Sequence, residues 1–199
     1  MKSIQRNGKA AFTLIELMAV ITIIVILAGL VVAGMGFVNE RQAKEKARVQ
    51  IALISKALED YKLDNGTYPA TGDTADGLGK SAELFKSLYY NSDKDGAFVG
   101  SGTNKGDEDQ KIYVAEFDPV TNKQGWTSGT AALTTKIVDP WGNEYRYRSA
   151  FAAPVGNAAP VANTNTQNPD FDLWSSGKDG RSRPGTTTDK VNNDDIKNF

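Results

Sequence analysis

Hydrophobic and polar positions divide the chain into three unlike stretches. The first is Leu17–Val38, LMAVITIIVILAGLVVAGMGFV, where 18 of 22 residues are apolar and none is charged. As a helix rising about 1.5 Å per residue, this run reaches across the ~30 Å hydrocarbon core of a bilayer. A buried core helix is the other home for so uniform a segment, but the remaining chain is too polar to surround it. The second stretch follows without a breaker. Ala47, Ile51, Ile54, Leu58 and Tyr61 recur at helical spacing and mark one apolar stripe. Asp64-Asn65-Gly66 is a typical helix end. One helix from about Leu14 to Leu63, roughly 75 Å long, is therefore expected.

The third stretch is polar and punctuated. Asn65–Pro69 reads as a turn, and Ser81–Tyr90 as a short helix with Leu84, Phe85 and Leu88 on one face. Lys111–Phe117, Glu144–Arg148 and Phe171–Ser175 are strand candidates. In the second of these, strict alternation sends Tyr145 and Tyr147 inward and the charges outward. In the third, Phe171 and Leu173 share a face. Asp139–Asn143 forms the turn into the middle strand. Residues 91–110 are expected to be a loop, and the uncharged run 152–169 an extended, mobile hairpin loop. The economical packing is a small antiparallel sheet on the stripe of the long helix, an α+β fold.

Charge and composition narrow the function. With 23 basic and 24 acidic residues the net charge is -1, which argues against a nucleic-acid partner. The chain has no cysteine and no histidine, excluding disulfides, Cys/His zinc sites, thiol nucleophiles and imidazole bases. An anchored enzyme would have to work with carboxylates or a Ser–Lys pair, and no spacing suggests one; the expectation is a non-enzyme.

Ahead of the apolar run, Lys2, Arg6 and Lys9 stand without any acid, as in a signal peptide. The apolar run, however, exceeds the ~7–15 residues of a removable signal core. It is also preceded by a carboxylate, Glu16, at the membrane edge, where an unpaired charge is costly. Two readings of Glu16 are open. Thr13-x-x-Glu16 fits a helix capping box, and an acid in lipid fits a site awaiting a cationic partner. Arg41, Lys44, Lys46 and Arg48 beyond the span, offset by Glu40 and Glu45, leave the orientation undecided by charge.

Near the C-terminus, Asp179-Gly180 lies in a glycine-rich turn and Asp194-Asp195 returns close to the chain end. Such carboxylates, with loop carbonyls, suit a hard cation. They are equally the ordinary residues of turns. Asn91–Gly96 imitates the start of an EF-hand loop, but Gly102 stands where its closing acid belongs, so a solvated turn is expected there.

The segment AFTLIELMAVITIIVIL resembles the N-terminus of type IV prepilins and pseudopilins. The resemblance implies a leader, residues 1–11, removed by a prepilin peptidase between Ala11 and Phe12. It implies N-methylation of Phe12, and Glu16 as the carboxylate that meets a neighbouring subunit's amine. Ala11 departs from the Gly usual before the cut. Where relatives often carry Pro within the span this chain has Ala33, followed by Gly34 and Gly36.

Further blocks, YKLDNGTYPATGDTADGL (Tyr61–Leu78), DPWGNEYRY (Asp139–Tyr147), FDLWSSGKDG (Phe171–Gly180) and DDIKNF (Asp194–Phe199), are similar in order to the major pseudopilin of type II secretion systems. That likeness implies a pilin-like fold: a transmembrane and assembly helix over 12–38, an amphipathic stalk over 39–64, and a periplasmic head over 65–199. It implies one Ca2+ ion held by side chains of Asp179 and Asp195, with Asp194 a further candidate, and by the backbone carbonyls of Ser176 and Arg181. Ser176 replaces the usual Leu, and the altered loop Arg181–Asn193 leaves the choice between Asp194 and Asp195 open.

The implied function is a structural subunit of the inner membrane that polymerises through its N-terminal helices into a periplasmic pseudopilus. Its implied partners are further copies of itself, minor pseudopilins, an inner-membrane assembly platform and membrane lipid. A type IV pilin or minor pseudopilin for adhesion, motility or DNA uptake is the alternative.

Overall fold

One continuous helix, α1 (Leu14–Asn65), carries both the apolar run and the amphipathic stripe. The structure, a computed structural model, describes residues 12–69, 81–89, 111–129, 135–152, 161–162, 165–183 and 189–199. The chain divides into two compact units, Met1–Gln42 and Ala43–Phe199.

In the first unit the large apolar side chains from Leu14 to Val38 all lie open, from 52% exposed at Ile21 to 76% at Leu14. The segment is long and apolar enough to cross a membrane, and its most apolar window is 0% buried within the chain. None of the described residues covers it.

In the second unit the same helix behaves as a soluble amphipathic one. Ala47, Ile51, Ile54 and Leu58 are buried, as the stripe predicts, and Gln50 and Ala57 join them; Tyr61 packs at the margin. Gly66, at φ +77°, follows the last turn, and its N–H donates to the Lys62 carbonyl at 2.7 Å, an ending that favours glycine. α2 (Ser81–Leu88) places Leu84, Phe85 and Leu88 in the core, as expected. Glu144 accepts the Ser81 N–H at 3.0 Å, so a carboxylate distant in sequence serves the first turn of α2.

Among the described residues seven short strands follow, all paired antiparallel. They are β1 (Thr127–Ser128), β2 (Lys136–Ile137), β3 (Arg146–Ser149), β4 (Phe151–Ala152), β5 (Val161–Ala162), β6 (Phe171–Ser175) and β7 (Ile196–Lys197). They form pairs β1–β2 and β4–β5 and a three-stranded sheet in the order β3-β6-β7. β6 sits at its centre, with Tyr147 opposite Leu173 and Trp174 opposite Lys197. Tyr145, Tyr147, Phe171 and Leu173 meet Ile51, Ile54, Leu58 and the α2 side chains in one core.

Two expectations are corrected. Lys111–Phe117 is not a strand. Its Tyr113 and Val114 N–H groups both donate to the Leu88 carbonyl, at 2.9 and 3.4 Å, so the segment docks on the end of α2. It then closes as a 3-10 turn at Ala115–Phe117. Val114 and Phe117 go inward at a spacing of three, while Ile112 is half exposed.

The outward charges of the middle strand are the second correction: Arg148 is buried. The chain beyond β5 covers that face. Arg148 donates to the Asn165 carbonyl at 2.7 Å and its guanidinium sits 5.8 Å from the Trp174 ring centre. β6 keeps Phe171 and Leu173 in the core and is buried on its other face as well, Asp172 and Trp174 included. Asp172 tolerates this because it accepts the N–H groups of Gln167 and Asn168, each at 2.8 Å. Pairing of β4 with β5 agrees with the hairpin reading of 152–169; residues 153–160 and the loop 91–110, with its EF-hand imitation, lie outside the described residues.

Candidate functional site

Two clusters hold the residues singled out in the sequence. At the N-terminal end Ala11 lies outside the described residues and Phe12 is 89% exposed. Glu16 closes a capping box. Its Oε2 accepts from the Thr13 N–H at 2.8 Å and the Thr13 hydroxyl at 2.7 Å, while Thr13 Oγ1 accepts the Glu16 N–H at 3.3 Å. In the single chain, then, the carboxylate takes the Thr13 N–H and hydroxyl, and the Thr13 hydroxyl takes one free N–H of the first helical turn. An ammonium brought alongside would meet a carboxylate already oriented by the backbone.

The second cluster is built where β6 ends. Beyond Ser175 the chain turns through Ser176, buried, and Gly177 to Asp179 and Arg181, both exposed. The turn is braced from below by the Asp139–Asn143 loop. Asp139 Oδ2 accepts the Ser175 hydroxyl at 2.6 Å, and its Oδ1 accepts the Trp141 and Asn143 N–H groups at 3.0 and 2.8 Å. The Asn143 amide donates to the Gly177 carbonyl at 2.7 Å. Burial pushes the Asp139 carboxyl above the usual carboxylate range, opposed by these hydrogen bonds.

Asp194 closes over the turn. Its Oδ2 accepts the Asp179 N–H at 3.0 Å, and Asp179 Oδ1 accepts the Arg181 N–H at 2.8 Å. Gly177 is at φ +63° with no room above it: a Cβ there would come within 2.6 Å of Asp194 Oδ2 and would also collide with the Asp194 carbonyl. Only glycine permits that approach. Asp179 and Asp194 thus share one rim.

Asp195 turns inward instead. Its side chain is 0% exposed, and Oδ2 lies 3.4 Å from the Lys197 ammonium. Oδ2 also accepts the Ser182 hydroxyl at 2.8 Å, and Ser182 Oγ in turn accepts the Trp174 indole N–H at 3.0 Å. Asp195 Oδ1 is buried and has no hydrogen-bond partner among the described residues. Burial raises the Asp195 carboxyl above its ordinary value, and neighbouring Asp194 adds to the rise against the lowering by Ser182 and Lys197.

The residues present suit a hard cation in one respect: a buried carboxylate oxygen with no donor is the kind of ligand such an ion takes. Among the described residues no three acidic side chains converge, so an ion here would draw on backbone oxygens as well. Sequence reasoning missed Asn143, Ser182 and Lys197. Asn143 and Lys197 lie inside quoted blocks, but nothing local shows that they meet the turn.

Comparison with known proteins decides the family. The family model described as type II secretion system (T2SS), protein G matches residues 37–94, and that of the prokaryotic N-terminal methylation motif matches residues 6–32. The chain is 32% identical over 177 residues to the type II secretion system core protein G of Pseudomonas aeruginosa, covering 89% of each chain. The chain belongs to the protein G family of type II secretion systems. It is also 42% identical over 74 residues to the core protein G of Aeromonas hydrophila, 37% of this chain and 52% of that one. To the core protein G of Escherichia coli K12 it is 41% identical over 90 residues, 45% of this chain and 61% of that one. Protein G membership agrees with the long helix and the small antiparallel sheets, the pilin-like α+β arrangement expected from the sequence.

Proposed function

We propose that the chain is a structural, non-catalytic subunit of a type II secretion pseudopilus, anchored in the inner membrane by residues 12–38 with its head in the periplasm. A prepilin peptidase removes residues 1–11 and Phe12 is methylated. The subunit then leaves the bilayer and joins further copies helix against helix, with minor pseudopilins and a membrane assembly platform as partners. The growing fibre drives folded proteins across the outer membrane.

The observation that carries this is the start of α1: a polar box, Thr13 with Glu16, opening an apolar helix that the chain itself leaves uncovered. In lipid the Glu16 carboxylate has only Thr13 to satisfy it, so an incoming subunit's N-terminal amine lowers its energy and fixes the register of assembly. Glu16→Ala should be cleaved and inserted normally yet form no fibre, scored by N-terminal mass measurement and by electron microscopy of sheared fibres. Fibres at wild-type yield from that variant would sink the pairing mechanism.

The same reading includes one calcium ion at the C-terminal turn, with Asp179, Asp195 and Asp194 as candidate side chains and Ser176 and Arg181 as carbonyl donors. The buried, partnerless Asp195 Oδ1 supports it. The ion's role there is structural, tying the chain end to the turn after β6 as a disulfide would. Melting of the full chain in detergent with calcium and with chelator is the measurement. An unchanged midpoint removes the ion.

A further inference from the structure

Asp195 sits in an arrangement that the family reading does not account for. Its side chain is 0% exposed, yet its two oxygens are served unequally: Oδ2 has the Ser182 hydroxyl and the Lys197 ammonium, and Oδ1 has no partner among the described residues. Lys197 is two residues along, and that spacing in an extended chain puts both side chains on one side. Its own side chain is 21% exposed. Lys197 and Asp195 both line an open groove of about 470 Å³ with Arg48, Ile51, Ala52 and Ser55 of α1. The ammonium also lies 5.4 Å from the centre of the Phe199 ring. Lys197 is therefore held at the carboxylate from one side and reached by water from the other.

We propose that Lys197 is a resident counter-cation of Asp195, a positioning residue that keeps the chain end closed without metal and opposes the charge of an ion on Oδ1. This rests on the calcium reading above. A buried carboxylate stripped of its counter-charge is strongly destabilising, so the ammonium supports the docked tail when no ion is present. A divalent ion on the neighbouring oxygen is repelled by that same ammonium through a medium of low effective dielectric. The groove beside α1 gives the Lys197 side chain somewhere to withdraw when an ion enters. The two effects of one residue have opposite signs: it stabilises the metal-free form and weakens metal binding.

That opposition makes the test specific. Full chain in detergent is melted in chelator and titrated with calcium by calorimetry, as wild type, Lys197→Met and Lys197→Arg. Lys197→Met should melt about 6–20 °C lower in chelator and bind calcium about ten-fold more tightly. Lys197→Arg, which keeps the charge, should stay within about two-fold of wild type in affinity. A Lys197→Met that loses stability and affinity together is a merely structural mutant and overturns the proposal, as does one unchanged in both. Failure of Lys197→Met to fold even in millimolar calcium also counts against it, because the metal should replace the lost charge. A wild type whose melting ignores calcium overturns the calcium reading and this proposal together. A wild type stabilised by calcium beside a Lys197→Met of wild-type affinity overturns this proposal alone.

Discussion

Replacing Gly177 by Ala tests the C-terminal turn at its tightest point, and Gly142→Ala supplies the comparison. Both glycines have left-handed backbones, φ +63° and +86°, so in either place an alanine costs about 1–2 kcal/mol of conformational energy. They differ in what surrounds the added methyl. At Gly142 nothing lies within 4 Å, whereas at Gly177 the methyl meets the Asp194 carbonyl and a carboxylate oxygen at 2.6 Å. The obstacle is backbone, so relief requires moving Asp194 itself and with it the contact to Asp179. Forced shifts of this kind cost about 1–3 kcal/mol more.

Gly177→Ala is therefore expected to lose about 2–5 kcal/mol and Gly142→Ala about 1–2 kcal/mol. At about 2–4 °C per kcal/mol for a head of this size, the midpoints should fall by roughly 4–20 °C and 2–8 °C. Melting followed by tryptophan fluorescence suits the purpose, since the Trp174 indole N–H donates to Ser182 beside the turn. On the calcium reading proposed above, calcium added to Gly177→Ala should recover less stability than in wild type, because the Asp194 rim has been pushed off its place. Equal losses for the two variants would show that only backbone conformation matters and that Asp194 does not close over Gly177.

Two further outcomes are open to direct measurement. Tyr145→Phe removes the hydroxyl that donates at 2.8 Å to Gln50 Oε1, a side chain 1% exposed on α1. It should cost about 1–2 kcal/mol in urea unfolding, and an unshifted midpoint would refute the link between β-sheet and stalk. Asp64 is held below its ordinary value of 3.8, first by the Lys111 ammonium at 2.7 Å and then by the Tyr113 hydroxyl. With the folded value depressed, its contribution is present above the unfolded value and lost as pH falls through the folded one. Lys111→Met should thus raise the Asp64 titration toward 3.8, read by carboxyl carbon NMR; an unmoved titration would contradict the pairing.

Local chemistry accounts for the features that were legible early. Leu17–Val38 announces a membrane-length helix because its residues have no polar alternative. The Ala47–Tyr61 stripe follows because helical periodicity repeats over short range, and Asn65-Gly66 ends the helix by backbone preference alone. The Thr13–Glu16 box was readable for the same reason: its partners are three residues apart. Where partners are remote, the pattern misled. Lys111–Phe117 has the composition of a strand, yet the Leu88 carbonyl, not a neighbouring strand, receives its N–H groups. Arg148 alternates as an outward charge, but the segment at Asn165 returns over that face and buries it.

The C-terminal cluster divides along the same line. Its acids, Asp179, Asp194 and Asp195, stand out in the sequence, since Asp beside Gly near a chain end is conspicuous. Their different duties do not. The chain turns at Asn193–Asp194 just ahead of β7, so Asp194 closes on the rim while Asp195 goes beneath it. Only folding brings Ser182 and Trp174 to the second and Asn143 under the first's turn. The sequence alone determined the anchor, the stalk and the set of candidate ligands, because these depend on composition and short-range period. Tertiary structure decided which carboxylate is buried and which oxygen is left without a donor, because desolvation and hydrogen bonding depend on what the fold places alongside.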